Sequence, residues 1–204
     1  MATYKITHSL LTSWLYAMKE NPFEDTTTES SAYDDFLRAL RREPSEPNEA
    51  MQAGIDFENA ITDYLAGKES CVPDNWLNAV SVIAEHIRGA RLQVDLRKVI
   101  SVNGFQILLH GKLDALRSGT IHDIKHSKTY DRGKYFNSTQ HPMYFALCEA
   151  AEQFTYEVSN GSDVWTETYR RDETRSIVPI ISEFLKYLQM SGMIETYRKY
   201  WIVA

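Results

Sequence analysis

Four short spacings in the middle of the chain join residue types that could do chemistry together: Gly54-x3-Glu58, Gly111-x2-Asp114, Asp123-x-Lys125 and Gln140-x3-Tyr144. Carboxylates bind a hard divalent cation through oxygen, and an ammonium beside them can orient a water and stabilise charge on a phosphate. That set is equipment for metal-assisted hydrolysis of a phosphodiester. Asp123 and Lys125 stand at i and i+2, so on a strand both project from one face. Of the ten lysines, only Lys125 has a carboxylate two residues before it. Taken singly, each spacing is weak: an Asp and a Lys so placed are more often a surface pair, and Gly-x-x-Asp more often marks a bend. The combination carries the reading.

The elements that must position these residues follow from periodicity. Apolar residues at helical spacing predict a helix over 9–19 (Leu10, Leu11, Trp14, Leu15 and Met18), stopped by Asn21-Pro22. Residues 20–49 hold nine acids against three arginines, with a short helix expected around Tyr33, Phe36, Leu37 and Leu40. This stretch reads as an acidic helical excursion from the core. Asn48 caps a helix to about residue 66, whose inward stripe is expected to be Met51, Gly54, Ile55, Glu58, Ile61 and Leu65. Glu58 then lies on an apolar face, which is costly unless it meets a buried basic partner or a metal. Asp74 caps a further helix ending at Gly89. The period then changes to alternation over 90–97. Asn103-Gly104 and Ser118-Gly119 mark turns, which makes a three-strand meander to about residue 127. Ser138 or Thr139 caps a helix with Gln140, Tyr144, Leu147 and Ala151 on one face, and Pro142 falls in its first turn. A hairpin around Asn160-Gly161 and a helix over 176–190 follow, while the aromatic tail 194–204 fits no template. The expected class is α/β (α+β), a central mixed sheet flanked by helices, in one domain over 1–204.

Composition narrows the function classes. Hydrophobic residues at 43% and aromatics at 12% of 204 residues support one packed core. No apolar run approaches the roughly 20 residues of a membrane span, and the N-terminus lacks the apolar core of a secretory signal. Cys71 and Cys148 have no C-x-x-C spacing and read as reduced thiols of a cytoplasmic protein. The net charge is −6, but residues 86–135 hold ten Lys or Arg against four acids, net +6, and the remainder twelve against twenty-four, net −12. That asymmetry fits a basic face beside the motif-bearing strands, or equally a solvated sheet face. Phosphate-binding G-x-x-x-x-G-K-[ST], dinucleotide-binding G-x-G-x-x-G and G-x-S-x-G elbows are absent from the sequence. His110 and His122 flank the motifs without metal-pair spacing and read as surface or satisfied histidines. His126, Lys128 and Lys134 could contact phosphates or belong to a solvated basic turn.

The ordered quartet resembles the RecB-like branch of the PD-(D/E)XK nuclease superfamily over roughly residues 48–170, and Gln140-x3-Tyr144 is its most branch-specific element. The resemblance implies a restriction-endonuclease-like core. It makes Asp114 and Asp123 direct metal ligands, the Ile124 carbonyl a third, and Glu58 the residue completing the site. Lys125 would position and help activate the attacking water, while Gln140, Tyr144 and Lys128 would brace the site or touch substrate. Mg²⁺ or Mn²⁺ is the implied cofactor, since the ligands are oxygens. The implied activity is a DNA nuclease, exonuclease-like on single strands or duplex ends, in recombination, repair or mobile-element processing. A helicase or recombination partner and a homo-oligomer are consistent with such a small chain. Some RecB-like nucleases hold an iron-sulfur cluster on four cysteines; two cysteines exclude that subtype within this chain. The alternative is an inactive scaffold that binds nucleic acid or serves assembly. Such relatives usually lose the acids or the lysine, and this sequence keeps them all.

Overall fold

The computed structural model describes residues 2–19, 31–44 and 46–203. A short strand, β1 (Thr3–Ile6), leads into α1 (His8–Lys19), and α2 (Ala32–Leu40), α3 (Glu49–Leu65) and α4 (Leu77–His86) follow. The centre is β2 (Arg91–Val102), β3 (Phe105–Arg117) and β4 (Thr120–His126). Then come α5 (Gln140–Leu147), β5 (Gln153–Ser159), β6 (Val164–Arg170), α6 (Val178–Met190), α7 (Ile194–Trp201) and β7 (Ile202–Val203). Asn103-Gly104 and Ser118-Gly119 adopt left-handed φ at both positions, the geometry of tight hairpin turns that follow strand twist. The expected meander forms with the expected ends.

Among the described residues the seven strands make one mixed sheet, in the order β6-β5-β4-β3-β1-β7, with β2 on the other edge of β3. β1 runs parallel to β3 and β4 parallel to β5; the other pairs are antiparallel. The sheet is mixed α/β, as alternating helical and strand periods predict. Two cores cover its faces. The larger packs α1, α2, α5, α6 and α7 on one side, around Leu10, Phe36, Ile107, Phe154, Phe184 and Tyr197. The smaller packs α3 and α4 on the other, around Phe57, Ile61, Val80, Ile83 and Ala115.

One detail of register builds the site. A single edge of β3 is shared by two strands: β1 pairs with residues 106–109 and β4 with residues 115–117. Between them, residues 110–114 have no strand on that edge, so the sheet forks. Backbone groups left open in a buried fork need other partners, and the side chains of Asp114 and Tyr144 supply two of them.

Several expectations change. α2 is not an excursion: Phe36 and Leu40 are fully buried in the main core, and Trp201 Nε1 donates to the Leu40 carbonyl at 2.8 Å. The acidic residues of that helix face outward, so its composition hid an apolar stripe of only two residues. The remainder of the acidic stretch, residues 20–30, and the Asn21-Pro22 stop lie outside the described residues. Asn48 caps α3 through a hydrogen bond from the Met51 amide, as expected. Its buried face, however, is Phe57, Ala60 and Ile61, while Met51 and Ile55 are exposed. Both stripes fit a 3.6 period, and contact of Phe57 with Trp76 and His126 selects the second. α5 stops at Leu147, so Ala151 is buried from the following loop rather than from the helix. Ala17 rather than Met18 closes the buried face of α1. The tail, unassigned from sequence, becomes α7 and β7, and β7 pairs with β1.

Candidate active site

Asp114 lies on β3 in the fork, and its Oδ2 accepts a hydrogen bond from the Ile124 amide of β4 at 2.8 Å. That bond replaces the next rung of the β3–β4 ladder, whose last pair is Ala115↔His122. Asp123 is buried on β4, with Oδ1 accepting from Gln140 Nε2 and Oδ2 lying 2.7 Å from the Lys125 ammonium. The Lys125 contact is an ion pair, not an aligned hydrogen bond. Gln140 is buried at the start of α5. One turn later, the Tyr144 hydroxyl donates to the Lys112 carbonyl at 2.9 Å and so satisfies an acceptor on the open edge of β3. Gly111 is what admits that ring: a Cβ there would lie 2.2 Å from Tyr144 Cε1. The glycine of the second motif and the tyrosine of the fourth are thus two halves of one contact.

Glu58 reaches the same region from α3. It is half-buried, and its Oε1 accepts from Gln93 Nε2 at 2.5 Å. Of the two alternatives, a buried basic partner or a metal, the first is not what holds it. Its place on the margin of the buried stripe, rather than within it, corrects the expectation that it sits among apolar neighbours. The structure therefore gathers Glu58, Asp114, Asp123, Ile124, Lys125, Gln140 and Tyr144 around one fork. Lys128 is exposed on the loop after β4.

The electrostatics show carboxylates held closer than they would choose. Burial, then the charges of Asp123 and Glu58, raise the Asp114 pKa well above the ordinary carboxylate value. The Ile124 amide and Lys125 pull the other way and do not win. Burial also raises Asp123, against the opposing pull of Lys125 and Gln140. For Lys125, burial works against the ammonium, but the close negative charge of Asp123, with that of Asp114, holds its pKa above the lysine value. Three carboxylates against one ammonium leave excess negative charge, which suits a divalent cation. Among the described residues no three His, Cys, Asp or Glu form a ready-made cage. Each carboxylate oxygen still has a second lone-pair site beyond the contacts above, so the donor chemistry fits Mg²⁺ or Mn²⁺.

A stability prediction follows from the sign of the Asp114 shift. A carboxyl whose folded pKa exceeds its unfolded value binds protons more tightly when folded. Stability therefore falls as pH rises from about the ordinary 3.8 to the folded value. At pH 7 and without divalent cation, Asp114→Asn should melt higher than the unsubstituted chain. An asparagine oxygen can still accept from the Ile124 amide. Each kcal/mol relieved appears as roughly 2–4 °C, and the difference should shrink as pH approaches 4. Melting curves in chelator across that range check it; a variant that melts lower at every pH would count against charge crowding.

Sequence reasoning missed three residues around the site. His8, at the start of α1, packs 5.7 Å from the Tyr144 ring, and burial with the charge of Lys125 lowers its pKa to about 4. Tyr135 stacks on Tyr156 at 4.2 Å, and Tyr156 is in register with Asp123. Gln93 holds Glu58. No spacing rule links any of them to the motifs. The loop bearing Tyr135 is tied by Glu167, which accepts from Tyr130, Tyr169 and the amides of Gly133 and Tyr135.

The remaining basic and histidine residues are largely engaged. His122 Nδ1 lies 2.9 Å from buried Glu157, as does His86 Nδ1, and His110 pairs with Asp95. His126 packs among Phe57 and Trp76 on the α3 side. Lys134 ties its own loop through Ser127 and Thr129. Arg88, Arg97 and Lys98 pair with acids, so the basic face is thinner than the count of charges suggests. Both cysteines are free thiols, and among the described residues no helix is long and apolar enough to cross a membrane.

No protein-family model matches the chain, and no curated protein matches it. Nine chains of solved structures match. Among them is the crystal structure of SSO0001, 17% identical, with a TM-score of 0.44 over 92% of this chain and 76% of that one.

Proposed function

We propose that the chain is a metal-dependent nuclease of the RecB-like PD-(D/E)XK type, hydrolysing phosphodiester bonds in DNA. The observation that carries this reading is the fork itself. It brings Asp114 and Asp123 together through the Ile124 amide, with Lys125 2.7 Å from Asp123. Asp114, Asp123, the Ile124 carbonyl and Glu58 would hold Mg²⁺ or Mn²⁺, which when bound supplies Lewis-acid charge for the phosphate and acidifies water. Lys125, kept protonated by Asp123, acts as donor and counter-charge. It can orient the attacking water and stabilise the negative charge that grows on the phosphate oxygens, and it is not a proton acceptor. Gln140 fixes the rotamer of Asp123, and Tyr144 fixes Gln140 by anchoring α5 to β3. Exonuclease-like action on ends or single strands, with a helicase or recombination partner, is the context the motifs suggest.

The experiment is incubation of purified protein with linear duplex, single-stranded and circular DNA in Mg²⁺, Mn²⁺ or chelator. Metal-dependent cleavage, lost in Asp114→Asn and Asp123→Asn, is expected. Cleavage that survives both substitutions would sink the site assignment. Metal-independent DNA binding without cleavage would favour the inactive-scaffold reading.

A further inference from the structure

Among the described residues four non-glycine positions have left-handed φ: Arg42, Gln93, Asn103 and Ser118. Arg42 follows the end of α2, and Asn103 and Ser118 make the hairpin turns. Gln93 alone stands inside a strand, at φ 53°, a conformation that residues bearing a Cβ avoid. The β2–β3 ladder pairs Leu92 with Ala115 and Val94 with Leu113, and it skips Gln93 opposite Asp114. Residues two apart on a regular strand share a face. Here Leu92 and Ala115 pack in the α3–α4 core, while Val94 and Leu113 pack in the main core. Both strands thus change face together at this step, where Gln93 lies opposite Asp114 and reaches Glu58 of α3.

If the turn in the backbone were the sole requirement, glycine or asparagine would meet it with less strain. What glutamine adds is reach. Its amide donates to Glu58 Oε1 at 2.5 Å, and since a carboxylate only accepts, that bond fixes which end of the amide faces Glu58. Among the described residues Glu58 makes no other side-chain hydrogen bond, so Gln93 alone sets its rotamer.

We propose that Gln93 is a positioning residue that holds Glu58 toward Asp114 and Asp123 and thereby completes the cation site. The inference rests on the metal-dependent reading above. Outer partners that orient a ligand typically account for about 10–100-fold in metal affinity. In Gln93→Gly the backbone conformation becomes unstrained and the amide is lost. Gln93→Asn keeps a residue that tolerates left-handed φ, with an amide one methylene short.

The test titrates the full chain with Mn²⁺, following free ion by electron paramagnetic resonance, alongside melting curves. Both variants should melt no lower than the unsubstituted chain yet bind Mn²⁺ about tenfold more weakly. Adding Gln93→Gly to Glu58→Gln should cost no further affinity, because the two act as one unit. Unchanged Mn²⁺ affinity in Gln93→Gly and Gln93→Asn, with weakened binding in Glu58→Gln, overturns this inference and leaves the metal reading standing. An unsubstituted chain that binds no Mn²⁺ overturns both.

Discussion

Lys125→Met should reduce DNA cleavage by about 10³-fold or more while leaving the secondary structure intact. Removing one preorganised donor from a charge-stabilising site costs about 10²–10³, and Lys125 would also orient the nucleophile, an additional loss. Methionine keeps most of the apolar stem of the side chain, so packing changes little. The electrostatic change is large. Asp123 is buried and loses its counter-ion at 2.7 Å. Breaking a fully buried pair from one side costs about 3–5 kcal/mol. Here the cost is smaller, since the Lys125 side chain is 32% exposed. An isolated Asp123 favours its neutral form, so the variant should lose stability as pH rises and recover part of it when acidified. Steady-state cleavage and melting curves at two pH values separate the effects. Cleavage within tenfold of the unsubstituted chain would remove Lys125 from the mechanism.

Gly111→Ala should damage the protein structurally and, through structure, chemically. The new Cβ would meet Tyr144 Cε1 at 2.2 Å and Leu147 Cδ1 at 3.1 Å, both on α5. Neither side chain has free space: Tyr144 is 3% exposed and stacks on Phe154, and its hydroxyl is bound to Lys112. Overpacking of this kind costs about 1–3 kcal/mol. The relief available is a shift of α5, which carries Gln140 away from Asp123. A misplacement of about 1 Å at a catalytic group can cost 10²-fold in rate, so activity should fall further than stability. Tyr144→Ala in the same chain should restore part of the loss, giving a coupling term in the double-mutant cycle. Strict additivity would mean that the motif glycine and the motif tyrosine do not form one contact.

Much of the fold was legible because local chemistry decides it. Asn103-Gly104 and Ser118-Gly119 set the two hairpins, and with them the adjacency of β3 and β4 that brings Asp114 beside Asp123. The two-residue period on β4 put Lys125 with Asp123. What could not be read depends on distant partners. β1 is four residues long and owes its place to parallel pairing with β3, a hundred residues away. The sharing of one β3 edge between β1 and β4, which creates the fork, is therefore invisible to periodicity. The buried face of α3 was ambiguous between two stripes, and only the packing of Phe57 resolves it. Gln93 sits in a run that alternates like any half-buried strand, and nothing in its neighbours signals a reversal of face. His8 joins the site because α1 crosses α5, where its backbone carbonyl accepts from Thr139 at 3.1 Å.

On the metal-dependent reading, Glu58, Asp114 and Asp123 serve one divalent cation in the fork where β1 and β4 share the β3 edge. The direct measurement is anomalous diffraction from crystals of the chain soaked in Mn²⁺. A single Mn²⁺ peak within about 2.5 Å of carboxylate oxygens of Asp114 and Asp123, with Glu58 ligating it or one water away, is the result expected. A fork without a peak, or an ion held by other side chains, would contradict it.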